Sequence, residues 1–526
     1  MEESAVLFNS YFFIFCYLPV VFAVYYFFVL NHRLVCAKIF LAIASIYFYG
    51  FFNTSYVILL MLSIAFNFTV GHVILGSRDS NRKRAIMIFG ICCNLLLLGY
   101  YKYWNFFLDN LALVGPDVTW PTIILPIGIS FFTFTQIAYL VDAQQDKVSE
   151  HGLVDYVLFV TFFPHLIAGP ILHHSEMMPQ FTRRHQNFRY SNIAVGTTIF
   201  VAGLFKKVVI ADSLAVFATP VFEAADAGLR VTTVEAWAAA VAYTQQIYFD
   251  FSGYSDMAIG LARLFGIRFP LNFFSPHKAA NIIDFWRRWH MTLSRFLLHY
   301  VYIPLGGNRR GKTRGAINLF LTMLIAGIWH GAGWTYVIWG AMHGVYLIVN
   351  RSWLSFRQVA AARRGRPLPQ IPLPIAVLIT FTCVVFSRVV FRAGTLDGAM
   401  IMVQAMLFQG PTFPGDVEAY IGGAAALMKG LGISFGAQQF VPLRDWGIMV
   451  ATISASLLLV WFVPNVEQIV GRYRPTCSNM YWNEQHHWRT WLRWRVNTLG
   501  ATVTAAALGI SVLCLNRTSE FIYFQF

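Results

Sequence analysis

Two histidines and a set of arginines are the residues of this chain best suited to chemistry. His330 stands in IAGIWHGAGW, among Gly327, Gly331 and Gly333 and beside Trp329 and Trp334, within an apolar run of membrane length. An ionisable group at membrane depth is costly by about 2.5–3.5 kcal/mol or more, so it is a functional candidate by default. His290 lies on an arginine-rich segment, FWRRWHMTLSRFL. With a reference pKa near ~6.5, histidine serves as a general base after modest tuning. No Ser or Cys nearby forms a nucleophile motif, and GxSxG is absent. That pattern favours a base acting on an external hydroxyl over a covalent enzyme intermediate. The plainer reading of His330, a histidine hydrogen-bonded between helices, stands beside it, as it does for His343 in WGAMHG.

The segment 281–300 is amphipathic at helical spacing, with Ile282, Phe285, Trp286, Trp289, Leu293, Phe296 and Leu297 on one face. Asp284, Arg287, Arg288 and Arg295 occupy the other, so a helix lying in the membrane interface is expected. It is either an anchor or part of the mouth of an internal site. In the second case Arg287 and Arg288, with Arg309 and Arg310 after the Gly306-Gly307 turn, suit a phosphate-bearing donor.

The elements that must position these residues follow from composition. Of 526 residues, 57% are hydrophobic and only 12% charged, about half the charge density of soluble domains. Apolar runs fall near 8–30, 34–52, 56–75, 85–104, 121–141, 192–210, 231–249, 315–333, 335–350, 372–391, 445–463 and 497–516. They predict an all-α polytopic membrane protein of about twelve spans. The alternation of a membrane β-barrel is missing. In 153–171, Pro164, His165, Gly169 and Pro170 predict a re-entrant or kinked element. The N-terminus lacks a basic n-region and a small-residue cleavage site, which predicts a retained first span.

The net charge of +15 marks cytoplasmic loops and not a nucleic-acid partner. Basic stretches at 77–85, 183–189, 263–314, 351–366 and 472–495 all fall on one side of a twelve-span topology. Loops 112–120 and 394–441 fall on the other, which puts both termini on the periplasmic side. Of the seven cysteines six lie in apolar runs, none with metal-ligand spacing, so no metal site and no tightly bound cofactor are expected. Lys38, Lys102, Gln136, His165, Lys206, Lys207, Gln245, Gln246, Asp250, Asp256 and Arg388 are further polar groups in apolar surroundings. Helix pairing explains each as readily as catalysis, and lysines near span ends are expected to snorkel. No internal repeat of the transporter kind is visible.

Several blocks together resemble the membrane-bound O-acyltransferase superfamily, and within it the bacterial polysaccharide O-acetyltransferase membrane subunits of the alginate type. They are YYKYWNFF (100–107), LPIGISFFTFTQIAYLVD (125–142), FFPHLIAGPI (162–171), GLFKKVVIAD (203–212) and DFSGYSDMAIGLARLFGI (250–267). FWRRWHMTLSRFL (285–297), YIPLGG (302–307), WHGAGW (329–334), VFRA (390–393) and SEFIYFQF (519–526) continue the series. The resemblance implies one membrane domain over 1–526, with N-terminal spans over about 8–249, a catalytic core over 250–350 and C-terminal spans over 351–526. Its transmembrane, re-entrant and interfacial helices would surround a central tunnel. His330 would be catalytic and His290 the second signature residue. Acetyl-CoA or another thioester would dock from the cytoplasm at the inner membrane. Acetyl would pass toward hydroxyls of an exported polysaccharide, through a periplasmic partner and its synthesis complex. Direct acylation of a lipid or protein hydroxyl, a transporter or flippase, and an export-complex scaffold are the alternatives. Departures from the family pattern are Leu298 and His299, where a more polar pair is expected, and Arg388, where the family tends to be aromatic.

Overall fold

In the computed structural model the described residues are 8–112, 115, 121–148, 152–182, 188–436, 440–478 and 493–516. Arg183, Arg184, the ending SEFIYFQF and most of the basic stretch 472–495 lie outside them. The described residues are almost wholly helical; the exception is one pair of two-residue parallel strands, Thr412–Phe413 and Ser434–Phe435. Among the described residues six helical runs are long and apolar enough to cross a membrane: Phe13–Leu30, Thr54–Gly76, Ser80–Ala112, Tyr190–Asp226, Leu373–Arg392 and Leu443–Phe462. Leu34–Gly50, Leu396–Leu407 and Thr498–Cys514 are apolar but shorter. The chain is a multi-pass, all-α membrane protein.

Two compact units divide the chain. The first draws on Met1–Phe205, Ser252–Asn272 and Val466–Gln525. Its core is aromatic: Phe8, Phe13, Tyr17, Phe48 and Phe163 pack with ring centroids 5.0–6.4 Å apart. Polar groups there pair with one another, as membrane interiors require. Asn67 and Asn94 exchange amide hydrogen bonds of 3.1 and 2.7 Å, and Gln136 donates to Ser63 at 2.9 Å. The predicted break in 153–171 is present. Helix Leu153–Thr161 stops at Phe162, where ψ is 109°, and Pro164 sits at the start of the four-residue helix Phe163–Leu166.

The second unit draws on Lys206–Phe251 and Phe273–Asn465 and carries both signature histidines. Its site-bearing helices are α1 (Thr233–Leu264, contributing its residues up to Phe251), α2 (Ile282–Arg288), α3 (Met291–Leu297), α4 (Lys312–His330), α5 (Trp334–Arg364) and α6 (Leu373–Arg392). The single interfacial helix expected over 281–300 is instead two helices broken at Trp289 and His290. The cause is local: His290 adopts φ 43°, ψ 53°, a left-handed conformation that ends one helix and starts the next. The stretch 351–366, expected as a loop, continues α5 to Arg364, because only Gly365 (φ 64°) offers a helix stop.

Candidate active site

α4 and α5 form a hairpin whose turn carries His330. Their close approach depends on Gly327 and Gly340: a Cβ on Gly327 would meet the Tyr336 carbonyl oxygen at 2.4 Å, and one on Gly340 the Met323 carbonyl oxygen at 2.6 Å. His330 is the last residue of α4, and extended Gly331 and Gly333 lead straight into α5. The imidazole is therefore held on rigid elements at both sides. It meets Trp339 (5.0 Å, interplanar 90°), Phe391 (5.4 Å, 80°) and Trp329 (5.0 Å, 63°), and 6% of the residue is exposed. Aromatic walls on three sides fix its orientation and keep bulk water away.

His343, one turn beyond Trp339 on α5, has a different part. Trp286 Nε1 donates to its Nδ1 at 3.2 Å, and its Nε2 lies 3.0 Å from Ser387 Oγ. Ser387 Oγ donates to the Val384 carbonyl, so the proton of His343 belongs on Nε2 and Nδ1 accepts. Both nitrogens are used, and the ring joins α2, α5 and α6. His343 therefore has the interhelical hydrogen-bonding role considered for it from the sequence.

His290 is fully buried, edge-on to Phe251 at 4.7 Å (88°) and 6.4 Å from Trp329, the residue that also walls His330. The two histidines thus share Trp329 as a neighbour. A β-branched or bulky residue at positive φ is strained, and such strain collects at functional positions. Burial first, and then the Arg388 charge, push the His290 imidazole down to about 3, so it is neutral throughout the physiological range.

Arg388 of α6 is 2% exposed and lies over Trp289 at 4.2 Å and Phe391 at 5.5 Å. Its guanidinium lies within electrostatic reach of His277, His290 and His343, and it shares Phe391 with His330. His277, which sequence reasoning missed, sits in the short turn Pro276–Lys278 with its ring 4.8 Å from Tyr248 and 5.6 Å from Phe381. Its signal was available: SPHK is a polar turn inside the same stretch as the other histidines.

Lys207 does not snorkel. Its ammonium is buried 2.8 Å from Asp212 and 2.7 Å from Asp250, and Asp250 precedes the Phe251 that flanks His290. The four arginines proposed for donor binding differ from the buried imidazoles in exposure. Arg287, Arg309 and Arg310 are exposed, and Arg288 is paired with Asp284 at 2.9 Å. Among the described residues no three of His, Cys, Asp or Glu gather as metal ligands would.

With this geometry established, comparison with known proteins gives consistent matches. Residues 127–391 match the model of the MBOAT, membrane-bound O-acyltransferase, family. The chain is 44% identical to the peptidoglycan O-acetyltransferase of Helicobacter pylori, over 77% of this chain and 81% of that protein. It is 36% identical to a probable alginate O-acetylase of Pseudomonas putida over 99% of this chain and 100% of that one. A more distant similarity, 26% identity over 55% of this chain and 75% of the relative, links it to a teichoic acid D-alanyltransferase of Streptococcus thermophilus.

Proposed function

This chain belongs to the membrane-bound O-acyltransferase family and is an O-acyltransferase, and on that premise we propose that it passes acetyl toward hydroxyls of an exported polysaccharide. The donor is a cytoplasmic thioester, acetyl-CoA, drawn from the inner face of the cytoplasmic membrane. The acceptor side is periplasmic and includes a partner acyltransferase that hands acetyl to the polymer. The relatives named for peptidoglycan and alginate support a polysaccharide acceptor.

The observation that carries the reading is the placement of His330 at the glycine-framed α4–α5 turn, almost fully buried. His343 bridges Trp286 and Ser387, and His330 stands at the α4–α5 turn with its imidazole oriented by Trp329, Trp339 and Phe391. His330 accepts the proton of the acceptor hydroxyl at a ring nitrogen. The hydroxyl oxygen attacks the thioester carbonyl and a tetrahedral oxyanion forms. As the carbon–sulfur bond breaks, the oxyanion collapses to the ester and the leaving thiolate takes the proton back from the imidazolium. A positioned base contributes typically ~10²–10⁴-fold, and alignment in a dry site supplies several kcal/mol more. Arg388 suits the oxyanion, being a fixed cation among neutral rings, and preorganised charge of this kind is worth ~10²–10³-fold. Neutral His290 positions donor or acceptor. Arg287, Arg288, Arg309 and Arg310, on the surface, capture the phosphates of the donor.

The test is the O-acetyl content of the polymer in cells whose sole copy carries His330→Ala at matched protein levels. A loss of at least about 10²-fold is expected, with His290→Ala impaired less completely. Near-parental acetylation in the His330 variant removes it from the role of base. Arg309→Ala with Arg310→Ala is expected to raise KM for acetyl-CoA more than it lowers kcat; an unchanged KM removes them from donor capture.

A further inference from the structure

The second unit also contains a cavity of about 670 Å³ between α5 and the first turns of α6, and its lining includes none of His290, His330, His343 and Arg388. Its walls are apolar and face outward. Val349 and Ile379 are 61% and 52% exposed, and Ala376 leaves room between them. The polar lining is gathered from Asn281, Gln370 and Arg357. The Arg357 guanidinium lies over the Trp353 ring at 5.9 Å and donates to the carbonyls of Leu368 and Pro369, both at 2.9 Å. The Asn350 Oδ1 atom, buried in the lining, accepts no hydrogen bond.

The chain that supplies this groove is one-sided in charge. No Asp or Glu occurs between Asp284 and Asp397, an interval that carries fourteen Lys and Arg residues. Among the described residues, none of Arg351, Arg357, Arg363, Arg364 and Arg366 has a carboxylate within ion-pair distance. An outward-facing apolar trough beside the membrane-length helix α6, with Trp353 and an arginine free of any carboxylate, Arg357, in its lining, has the chemistry of a phospholipid site: chain below, phosphate above.

We propose that this groove binds one anionic glycerophospholipid, an acyl chain between α5 and α6 and the phosphate beside Arg357. The volume falls in the ~300–1,000 Å³ range of small-molecule sites. Long-range attraction by a basic surface adds to the hold on an anionic headgroup. A headgroup hydroxyl or ammonium supplies the donor that Asn350 Oδ1 lacks. The thioester donor of the transfer reaction is a poorer match, since its amides and charges would lie against Val349 and Ile379 with few partners. The inference does not rest on the acyl-transfer reading.

The experiment is native mass spectrometry of the full chain, purified in a neutral detergent and supplied with phosphatidylglycerol or phosphatidylcholine. The parent is expected to retain one phosphatidylglycerol at least about tenfold more than phosphatidylcholine, with the preference falling as salt rises from about 0.1 to 0.5 M. Ala376→Phe, which fills the trough, is expected to lower retention at least fivefold. Arg357→Gln is expected to remove the preference for the anionic lipid, and serves alone if the Phe variant does not fold. Equal retention of both lipids, full retention by Ala376→Phe or by Arg357→Gln, or displacement of the lipid by acetyl-CoA would overturn the proposal.

Discussion

Gly327→Ala is the smallest change expected to dismantle the site without touching a polar atom. Its Cβ would stand 2.4 Å from the Tyr336 carbonyl oxygen and 2.9 Å from the Gly340 Cα. Both neighbours are backbone, so no change of rotamer relieves the contact. Ordinary Cβ contacts begin near 3.4 Å, and α4 and α5 must therefore part by about 1 Å. Overpacking of this kind destabilises by typically ~1–3 kcal/mol. The larger effect is on geometry. His330 lies three residues further along α4, while Trp339, which walls it, belongs to α5. A displacement of about 1 Å at a reacting group costs on the order of 10²-fold in rate. Polymer O-acetylation, read as acetate released by mild base at matched protein level, is expected to fall by that order while the variant still unfolds cooperatively in detergent. Gly333→Ala is the control, because its nearest neighbour would be 3.4 Å away and its backbone is extended. A folded Gly327→Ala protein with parental acetylation, or an equally inactive Gly333→Ala protein, would refute the account of the hairpin as the frame of the site.

Arg388→Met is expected to lower transfer about 10²-fold with KM within about threefold, and Arg388→Lys to recover part of it; parallel changes in KM would make the arginine a binding group instead. Lys207→Met leaves two buried carboxylates without their cation and is expected to destabilise by about 3–5 kcal/mol in detergent unfolding, with Lys207→Met/Asp250→Asn recovering part of the loss. Glu467, in the short helix Val466–Val470, has its carboxyl pushed up to about 7, chiefly by burial and against the hydrogen bond from Thr476. Because the folded value is the higher one, the stability it contributes is complete below about 4.5 and is lost as pH rises through about 7. Glu467→Gln keeps the acceptor for Thr476 and is expected to be about 3 kcal/mol more stable than the parent at about pH 8, with little gap at about pH 4; a pH-independent gap contradicts the assignment. For topology, a cysteine placed at Arg82 is expected to react only from the cytoplasmic side, and labelling from the periplasm would invert the arrangement.

The helical frame was legible because membrane spans announce themselves by apolar length, and Lys312–His330 and Leu373–Arg392 lie within a few residues of the runs that predict them. His330 was legible for the same reason, as a titratable group where burial is expensive. The break at His290 was not, since amphipathic spacing runs unbroken through 281–300 and only the backbone angle interrupts it. Arg388 appeared in the sequence as a departure from an aromatic position. Its proximity to three histidines depends on how α6 packs, which no local pattern encodes. Lys207 misled because a lysine near a span end usually reaches for water, whereas here Asp250, forty-three positions later, meets it inside the protein.

The interval from Asp284 to Asp397 has a consequence beyond any one site. The residues between those two aspartates include fourteen cations and no carboxylate; Arg288 draws on Asp284 at the boundary, but exposed Arg351, Arg363, Arg364 and Arg366 have no ion-pair partner among the described residues and draw counter-ions from the surroundings. Two preparations of the same polypeptide, one stripped of anionic material and one not, are then electrostatically different molecules. Anything measured on this protein that depends on charge, from chromatographic behaviour to donor capture, is a property of the chain together with the ions it has borrowed.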